Sequence, residues 1–223
     1  MSSMASSALV AATNPVDVHV TPALDGRNRV TTAFRLILAI PHLLLVGGPA
    51  ASAVWWSAGP NNRQFDNGFA GGVLGIVATV VSVIAWFAIL FTGRFPEGLW
   101  TLVAFYMRWR VRASAYTALL RDEYPPFGDG EYPAWLELRR PEDRRNRLTV
   151  FFRLLLAIPH LIVISILGIA WAVVSVIAWF AILLTGRYPA GLYEFSVGVL
   201  RWTTRVEAYV LLLHDEYPPF SLA

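Results

Sequence analysis

The sequence predicts an all-α membrane protein of two tandem repeats, each a transmembrane helical hairpin followed by an amphipathic interfacial helix. Three observations predict this class. The composition is apolar, with 56% hydrophobic residues, 15% charged residues and a mean hydropathy of +0.53, whereas soluble domains carry about a quarter charged residues. The chain repeats its own motifs in the same order. Each copy also contains apolar runs close to or above the roughly 20 residues that cross a bilayer.

The charge and cysteine content exclude several classes of site. The chain has no cysteine, which excludes disulfides and thiolate metal or redox centres. All 18 basic residues are arginines and the net charge is +3. Because the arginines flank apolar runs, we expect the bilayer and its anionic headgroups as the partner, and no nucleic acid. Residues 1–13 carry no charge and lack the basic start of a signal peptide, so we predict a disordered tail there.

The internal repeat divides the chain into two units. The offset between matching segments is 118 near the start of each unit and 93 further on, so the first unit carries 25 extra residues between His42 and Val80. We assign membrane repeat 1 to residues 14–127 and membrane repeat 2 to residues 132–220. Three pairs of segments carry the likeness: 34–42 with 152–160, 80–90 with 173–183, and 122–127 with 215–220.

Each unit opens with a short extended segment. Val16, Val18 and Val20 alternate with Asp17 and His19, which is the period of a strand. The second unit has the segment 135–138 in the corresponding place. We place both extended segments in the cytoplasm.

The first repeat contains two predicted spans, residues 33–58 and 71–91. A polar, turn-rich loop over residues 59–68 separates them. Trp55 and Trp56 stand just before this loop, where an aromatic belt at the membrane interface would place them.

The second repeat is nearly continuously apolar from residue 148 to residue 184, and two interpretations remain open. It is either a tight hairpin that turns near Gly168, or an interfacial helix up to Pro159 followed by one long span. We favour the hairpin, with spans 148–166 and 169–185, because it places every basic region on one side of the membrane. The resulting protein is multi-pass with both termini in the cytoplasm.

A third helix ends each unit, from about Pro96 and from about Pro189. Gly93 and Gly186 precede these helices and suit the left-handed position that terminates a helix. Arginines recur on one face of each third helix, which favours a helix lying in the membrane surface. The alternative is a buried arginine pair that faces a cavity or an anionic ligand. The arginines are Arg108 and Arg112 in repeat 1, and Arg201 and Arg205 in repeat 2.

Two arginine–histidine pairs lie inside the apolar runs: Arg35 with His42, and Arg153 with His160. Each pair is seven residues apart, so its members share a helical face. Ionisable residues within spans are functional candidates, and a proton relay or an anion site would use this arrangement. We favour a structural role, in which the arginine reaches the interface and the histidine caps carbonyls freed by the neighbouring proline.

The motif Asp-Glu-Tyr-Pro-Pro-Phe ends both units. Its acids can bind a cation or form salt bridges with arginines, and its stiff Tyr-Pro-Pro-Phe part could be a docking surface; we favour termination of the third helix. A metal site at residues 214–216 is rejected, because Arg121 replaces His214 in repeat 1. The chain contains no recognised catalytic motif, so we predict no catalytic, cofactor-binding or metal residues and no enzyme activity.

The ordered combination of Leu-Leu-Ala-Ile-Pro-His, Thr-Gly-Arg-Tyr-Pro, Arg-Trp and Asp-Glu-Tyr-Pro-Pro-Phe resembles a bacterial family catalogued as a domain of unknown function. That family is common in actinobacteria and often occurs as tandem copies. The resemblance covers nearly all of residues 14–220 and implies a protein of the bacterial cell membrane. It supplies no activity and no catalytic residues.

Three functional hypotheses follow. The first is a scaffold or accessory subunit of a membrane complex, with a membrane-protein partner or a second copy of the chain. The second is a small-solute or ion transporter or channel with a site between the two repeats near the arginine–histidine pairs. The third is a lipid-modifying enzyme that uses Asp122 with Glu123 and Asp215 with Glu216.

Overall fold

The fold is mostly helical in the computed structural model, which describes residues 14–48, 54–59, 62–67, 71–141 and 144–223. The predicted tail, residues 1–13, lies outside this range. The described residues form seven helices and four short strands. They are β1 Val16–Val20, α1 Arg29–Ala33, α2 Arg35–Val46, β2 Val54–Gly59, β3 Asn62–Asn67, α3 Gly72–Thr92, α4 Glu97–Thr117, β4 Ala134–Leu138, α5 Arg147–Phe151, α6 Arg153–Thr185 and α7 Ala190–Val210.

The hairpin predicted for repeat 2 is wrong. Residues 153–185 form the single helix α6 of 33 residues, and Pro159 and Gly168 both lie inside it. A lone glycine costs a helix only about 1 kcal/mol relative to alanine, which does not stop a helix of this length. The segments 148–166 and 169–185 are therefore not separate spans. The charge distribution favours a turn here, but no residue of the local sequence requires one.

The first predicted span of repeat 1 is also wrong. Helix α2 has only 12 residues and ends at Val46, after which Gly47 takes φ +75°. Further along the predicted span 33–58, the chain forms strand β2, which pairs antiparallel with β3. The second span, predicted over 71–91, corresponds closely to α3.

The 25 extra residues of repeat 1 interrupt a helix that is whole in repeat 2. By the two offsets, α2 corresponds to residues 153–164 of α6 and α3 corresponds to residues 165–185. A Cβ placed on Gly72 would lie 2.6 Å from the carbonyl carbon of Leu45, so the chain returns to the point that it left. Helices α2 and α3 are thus the two pieces of one α6-like helix, and the β2–β3 hairpin lies in the insertion between them.

The two copies are related by an approximate two-fold axis. Strands β1 and β4 pair antiparallel, and Val18 lies opposite Leu136, its own counterpart in the repeat. The N–H of Arg27 donates to the carbonyl of Gly186 at 3.0 Å, and the N–H of Arg145 donates to that of Gly93 at 3.0 Å. The start of each copy therefore meets the end of the other copy's long helix. The two long helical stretches run in opposite directions.

Helices α4 and α7 form the middle layer of the molecule. Helix α4 packs on α2 and α3, and α7 packs on α6, while the β1–β4 sheet packs on both α4 and α7. Most residues of both helices are buried, including Val103, Met107 and Val206 with no exposed surface. The prediction that these helices lie in the membrane surface is wrong, because most of their residues are buried between the outer helices and the sheet.

The outer helices and the sheet present opposite surfaces. Helices α3 and α6 are long and apolar enough to cross a membrane by length and composition. Their outward faces expose large apolar side chains, as does that of α2. The outward face of the sheet carries Asp17, His19 and Glu137, with His19 stacked on Trp135. Exposed residues on the helices include Leu36, Ile37, Leu44, Ile76, Val83, Phe91, Leu155, Ile162, Ile169, Val176 and Leu184.

Candidate functional site

In repeat 1, Asp122 binds two buried arginines. Arg27 donates through Nε to Oδ2 at 2.9 Å and through Nη2 to Oδ1 at 2.8 Å, and Nη2 of Arg35 donates to Oδ1 at 2.5 Å. Burial by itself raises the pKa of Asp122, but the hydrogen bonds from Arg27 and the charges of both arginines outweigh it and hold the pKa below its usual range. Asp122 is therefore an ionised structural tie between the start and the end of the repeat.

Repeat 2 builds the same tie around Asp215. Nε of Arg145 donates to Oδ2 at 2.7 Å, and Nη2 of Arg153 donates to Oδ1 at 2.6 Å. The pKa of Asp215 is lowered for the same reason: burial raises it, and the two arginines lower it by more. The acids of the terminal motif thus form salt bridges with arginines, one of the two roles that the sequence left open for them.

Arg35 and Arg153 also bind backbone carbonyls through Nη1 and stack on tyrosine rings of the same chain, whereas the buried Nε of each has no hydrogen-bond partner among the described residues. Nη1 of Arg35 donates to the carbonyl of Arg121 at 2.8 Å, and Nη1 of Arg153 donates to the carbonyl of His214 at 2.5 Å. The guanidinium groups lie 4.2 and 4.3 Å from the ring centres of Tyr116 and Tyr209. With 1% of each arginine exposed, neither extends to the membrane interface, so the predicted interfacial position is wrong.

The two histidines occupy aromatic pockets apart from the arginines. Trp109 donates its indole N–H to Nδ1 of His42 at 3.0 Å, and Trp202 donates to Nδ1 of His160 at 3.2 Å. Phe127 stacks on His42, and its counterpart Phe220 stacks on His160. Because indole N–H is a donor only, Nδ1 of each histidine must keep its lone pair. Each histidine anchors the Tyr-Pro-Pro-Phe segment to a helix, and does not cap the carbonyls freed by the neighbouring proline.

Three of the four arginines predicted on the third helices bind backbone oxygens. Arg112 donates to the carbonyl of Gly128 at 2.5 Å, Arg205 donates to the carbonyl of Ala223 at 2.5 Å, and Arg201 donates to the carbonyl of Val18 at 3.1 Å. Arg108 is half-buried. These contacts hold the terminal segments and strand β1 in place. The buried arginines expected in the alternative interpretation are present, but their ligands belong to the chain itself.

One buried ion pair between the copies was missed by sequence reasoning. Nε of Arg110 donates to Oε2 of Glu207 at 2.9 Å, and the hydroxyl of Tyr106 donates to Oε1 at 3.2 Å. Arg110 and Glu207 are 2% and 3% exposed. Burial raises the pKa of Glu207, and the charge of Arg110 opposes that rise.

The signal for this pair is a difference between the copies. At the offset of 93, Thr203 takes the place of Arg110, and Ser114 takes the place of Glu207. The repeat is recognised from the residues that the two copies share, and the copies differ at both of these positions. The usable signal is a charged residue at a position where the other copy has an uncharged one, on a helix face that otherwise matches between the copies.

Two of the clefts in the described part of the fold border charged residues. The first, of about 520 Å³, is mostly apolar, opens between α3 and the start of α6, and includes Ser82, Arg153 and Glu207 in its lining. The second, of about 880 Å³, lies at the end of α3 and is lined by Arg94, Trp100, Arg139, Arg140 and Arg145, among others. Within the described residues, no group of three or more histidines and acids could hold a metal ion.

Comparison with known proteins supports the division into copies. The family described as "Domain of unknown function (DUF4389)" matches residues 67–128 and 147–221, one segment in each copy. No curated protein and no solved structure matches the chain at a significant level.

Proposed function

We propose that the chain, which belongs to the DUF4389 family, is a scaffold or accessory subunit of a membrane complex and not an enzyme. The observation that carries this proposal is that Arg35, Arg153, His42 and His160 are all engaged by groups of the same chain. A relay or an anion site needs such groups to be available to a ligand, whereas the nitrogens that have no partner, Nε of each arginine and Nε2 of each histidine, are buried away from solvent. Here they fasten the terminal segments to the helices.

The acids of the terminal motif support a non-enzymatic role. Asp122 and Asp215 are held ionised between two arginines each, and Glu123 pairs with Arg121. A general acid needs a pKa raised towards neutrality, whereas the pKa values of Asp122, Asp215 and Glu123 are lowered.

The two surfaces of the molecule support a scaffold. The apolar outer faces of α2, α3 and α6 suit lipid, since exposed apolar patches of this extent mark membrane or protein contacts. The polar face of the β1–β4 sheet remains available to a protein partner in the aqueous phase.

A transporter is the second candidate, because the 520 Å³ cleft lies between the copies and borders Arg153 and Glu207. Filling the cleft tests it. Val83 lines the cleft and is 53% exposed, whereas Val80 is 54% exposed and does not line it. If the protein is a transporter, Val83→Trp abolishes solute or ion flux into proteoliposomes and Val80→Trp leaves it unchanged.

The scaffold hypothesis predicts a different result. The chain solubilised from its native membrane in mild detergent migrates as a stoichiometric complex well above its 24.8 kDa mass. Glu137→Arg on the polar sheet face releases the partner, and Val80→Trp on the lipid face does not. A chain that migrates alone, or that carries flux sensitive to Val83→Trp, would overturn the scaffold.

A further inference from the structure

We propose that the molecule lies within one leaflet of an anionic bilayer, with its long helices parallel to the membrane plane. The apolar faces of α2, α3 and α6 contact the acyl chains, and the β1–β4 sheet faces water. This orientation rests on the proposed membrane attachment and specifies its geometry. Four features of the structure carry it.

The first feature is the length of α6. Its 33 residues span about 50 Å, whereas the hydrocarbon core is about 30 Å thick. A straight helix of that length keeps all its residues within the core only when it tilts by more than about 50°, beyond the 0–40° seen for transmembrane helices. A helix that lies in the interface has no such limit.

The second feature is the charge at both ends of α6. At its amino end, Arg147 lies 3.7 Å from the Cβ position of Gly93, and at its carboxyl end Arg29 lies 3.5 Å from that of Gly186. Arg147, Arg29 and Arg187 are exposed. If α6 crossed the membrane, one basic cluster would lie on each side, against the asymmetry that membrane proteins follow. In the flat orientation both clusters reach the headgroups of the same leaflet.

The third feature is the insertion in repeat 1. The chain leaves the α2–α3 stretch after 12 residues, about 18 Å along it and about 7 Å from the middle of a 50 Å helix. In a crossing orientation the inserted segment, which contains strands β2 and β3, would start inside the hydrocarbon core. Lipid-exposed backbone outside helices is excluded there.

The fourth feature is the two-fold axis. Because the long stretches run in opposite directions, the axis passes level with their middles, and the β1–β4 sheet sits on it at Val18 and Leu136. In a crossing orientation the outward Asp17 and Glu137 would lie level with the bilayer centre. In the flat orientation the axis is the membrane normal, and the sheet stands on the side away from the lipid.

The exposed face of α6 fits this orientation along its full length. Apolar side chains recur there every three or four residues, which is the stripe of a helix that lies on lipid. They are Leu155, Ile158, Ile162, Ile166, Ile169, Val173, Val176, Phe180 and Leu184.

The test uses depth measurements, because the chain has no cysteine of its own. Single cysteines at Ile158, Ile169 and Phe180 carry spin labels in vesicles of phosphatidylethanolamine and phosphatidylglycerol. The flat orientation predicts one common shallow depth. A crossing helix would place Ile158 and Phe180, which lie about 33 Å apart along the helix, near opposite faces of the bilayer and put Ile169 deepest, which would overturn the inference.

A matched pair measures sidedness in intact cells. A Cβ at Gly98 or at its counterpart Gly191 meets no atom within 4 Å, and the two positions lie near opposite ends of α6. We expect Gly98→Cys and Gly191→Cys to react equally with an impermeant maleimide, and labelling of only one would refute the flat orientation. If none of the spin labels on α6 contacts lipid, the protein is not attached to the membrane through this helix, and the proposed function is overturned together with the orientation. A depth gradient removes the flat orientation but leaves the scaffold proposal intact.

Discussion

At the residue scale, the buried arginines set the stability of the fold. Arg145 is 5% exposed and Arg153 is 1% exposed, and both meet the single carboxylate of Asp215. Removing one partner of a buried ion pair costs about 3–5 kcal/mol, because the remaining charge stays buried without compensation.

Asp215→Asn is therefore expected to destabilise the protein strongly. The amide keeps the size of the side chain but leaves two buried guanidinium groups without a counter-charge, so the free energy of unfolding falls by about 3–5 kcal/mol. Thermal unfolding in detergent, followed by circular dichroism, measures the change. Glu216→Gln, at the exposed neighbouring residue, serves as the control. Equal melting temperatures for the two variants would contradict the role of the tie.

His214 makes stability depend on pH. Burial, followed by the charge of Arg153, lowers the pKa of His214 to about 4. The unfolded state, with a pKa near 6.5, binds the proton first on acidification. The neutral histidine therefore stabilises the fold fully above about pH 6.5, and this contribution is lost as the pH falls towards 4.

Between pH 7 and pH 5, we expect His214 to account for a loss of about 2 kcal/mol. The measurement is the free energy of unfolding at both pH values, in the wild type and in His214→Gln, which has no titrating group at that position. A variant that loses as much stability as the wild type over this interval would disprove the assignment.

At the element scale, local signals in the sequence predicted local structure well. Gly93 and Gly186 end their helices with φ values of +75° and +71°, as the sequence motif predicts. Strand β1 and its counterpart, and the 25 extra residues of repeat 1, also follow from residue patterns.

The packing of the elements could not be predicted in the same way. An arginine on an apolar helix binds headgroups or its own chain's carbonyls equally well, and only the fold decides. Arg112 and Arg205 bind oxygens that lie 16 and 18 residues further along the chain. The continuity of α6 could not be predicted from the charges. The hairpin is favoured because it places every basic region on one side of the membrane, and not because the sequence contains a turn signal.

Removal of the insertion tests the relation between α2, α3 and α6. Deleting residues 47–71 joins Val46 to Gly72 and creates a helix of 33 residues in the register of α6. We expect this variant to fold, to keep its membrane attachment and to retain its helical circular dichroism signal. Deleting residues 47–69 instead leaves two residues that rotate α3 by about 200° about its axis. That control is expected to unfold, and equal stability of the two deletions would refute the correspondence.

At the scale of the whole molecule, the two copies complete each other. Trp86 of repeat 1 donates to the carbonyl of Val150, and Trp179 of repeat 2 donates to that of Thr32. The β1–β4 pairing adds further hydrogen bonds between the copies. In one copy alone, the first short helix and the strand would lack these hydrogen-bond partners.

The Arg110–Glu207 pair is expected to act as a unit. Arg110→Met or Glu207→Met alone leaves a buried charge and costs about 3–5 kcal/mol, whereas the double variant removes both charges and recovers most of that loss. A double-mutant cycle on the free energy of unfolding gives the coupling. Additive losses would show that the two groups do not act together.

The same ion pair favours association of repeat 1 with repeat 2 over association of two identical repeats. If two copies of repeat 2 associated, Glu207 would face Thr203 and leave two buried carboxylates without an arginine. If two copies of repeat 1 associated, Arg110 would face Ser114. Each self-pairing therefore buries two like charges without a counter-charge from the other copy, a cost that the mixed pair does not carry.

Residues 14–127 and 132–220, expressed together as separate chains, are therefore expected to assemble one to one. A tag on the first fragment retains the second fragment in detergent, and either fragment expressed alone aggregates or is degraded. Glu207→Thr in the second fragment removes the buried carboxylate and allows that fragment to pair with itself. If the unmodified second fragment already formed a stable folded dimer alone, the ion pair would not be what sets the pairing, and the fold would be a duplicated unit without preference for its partner.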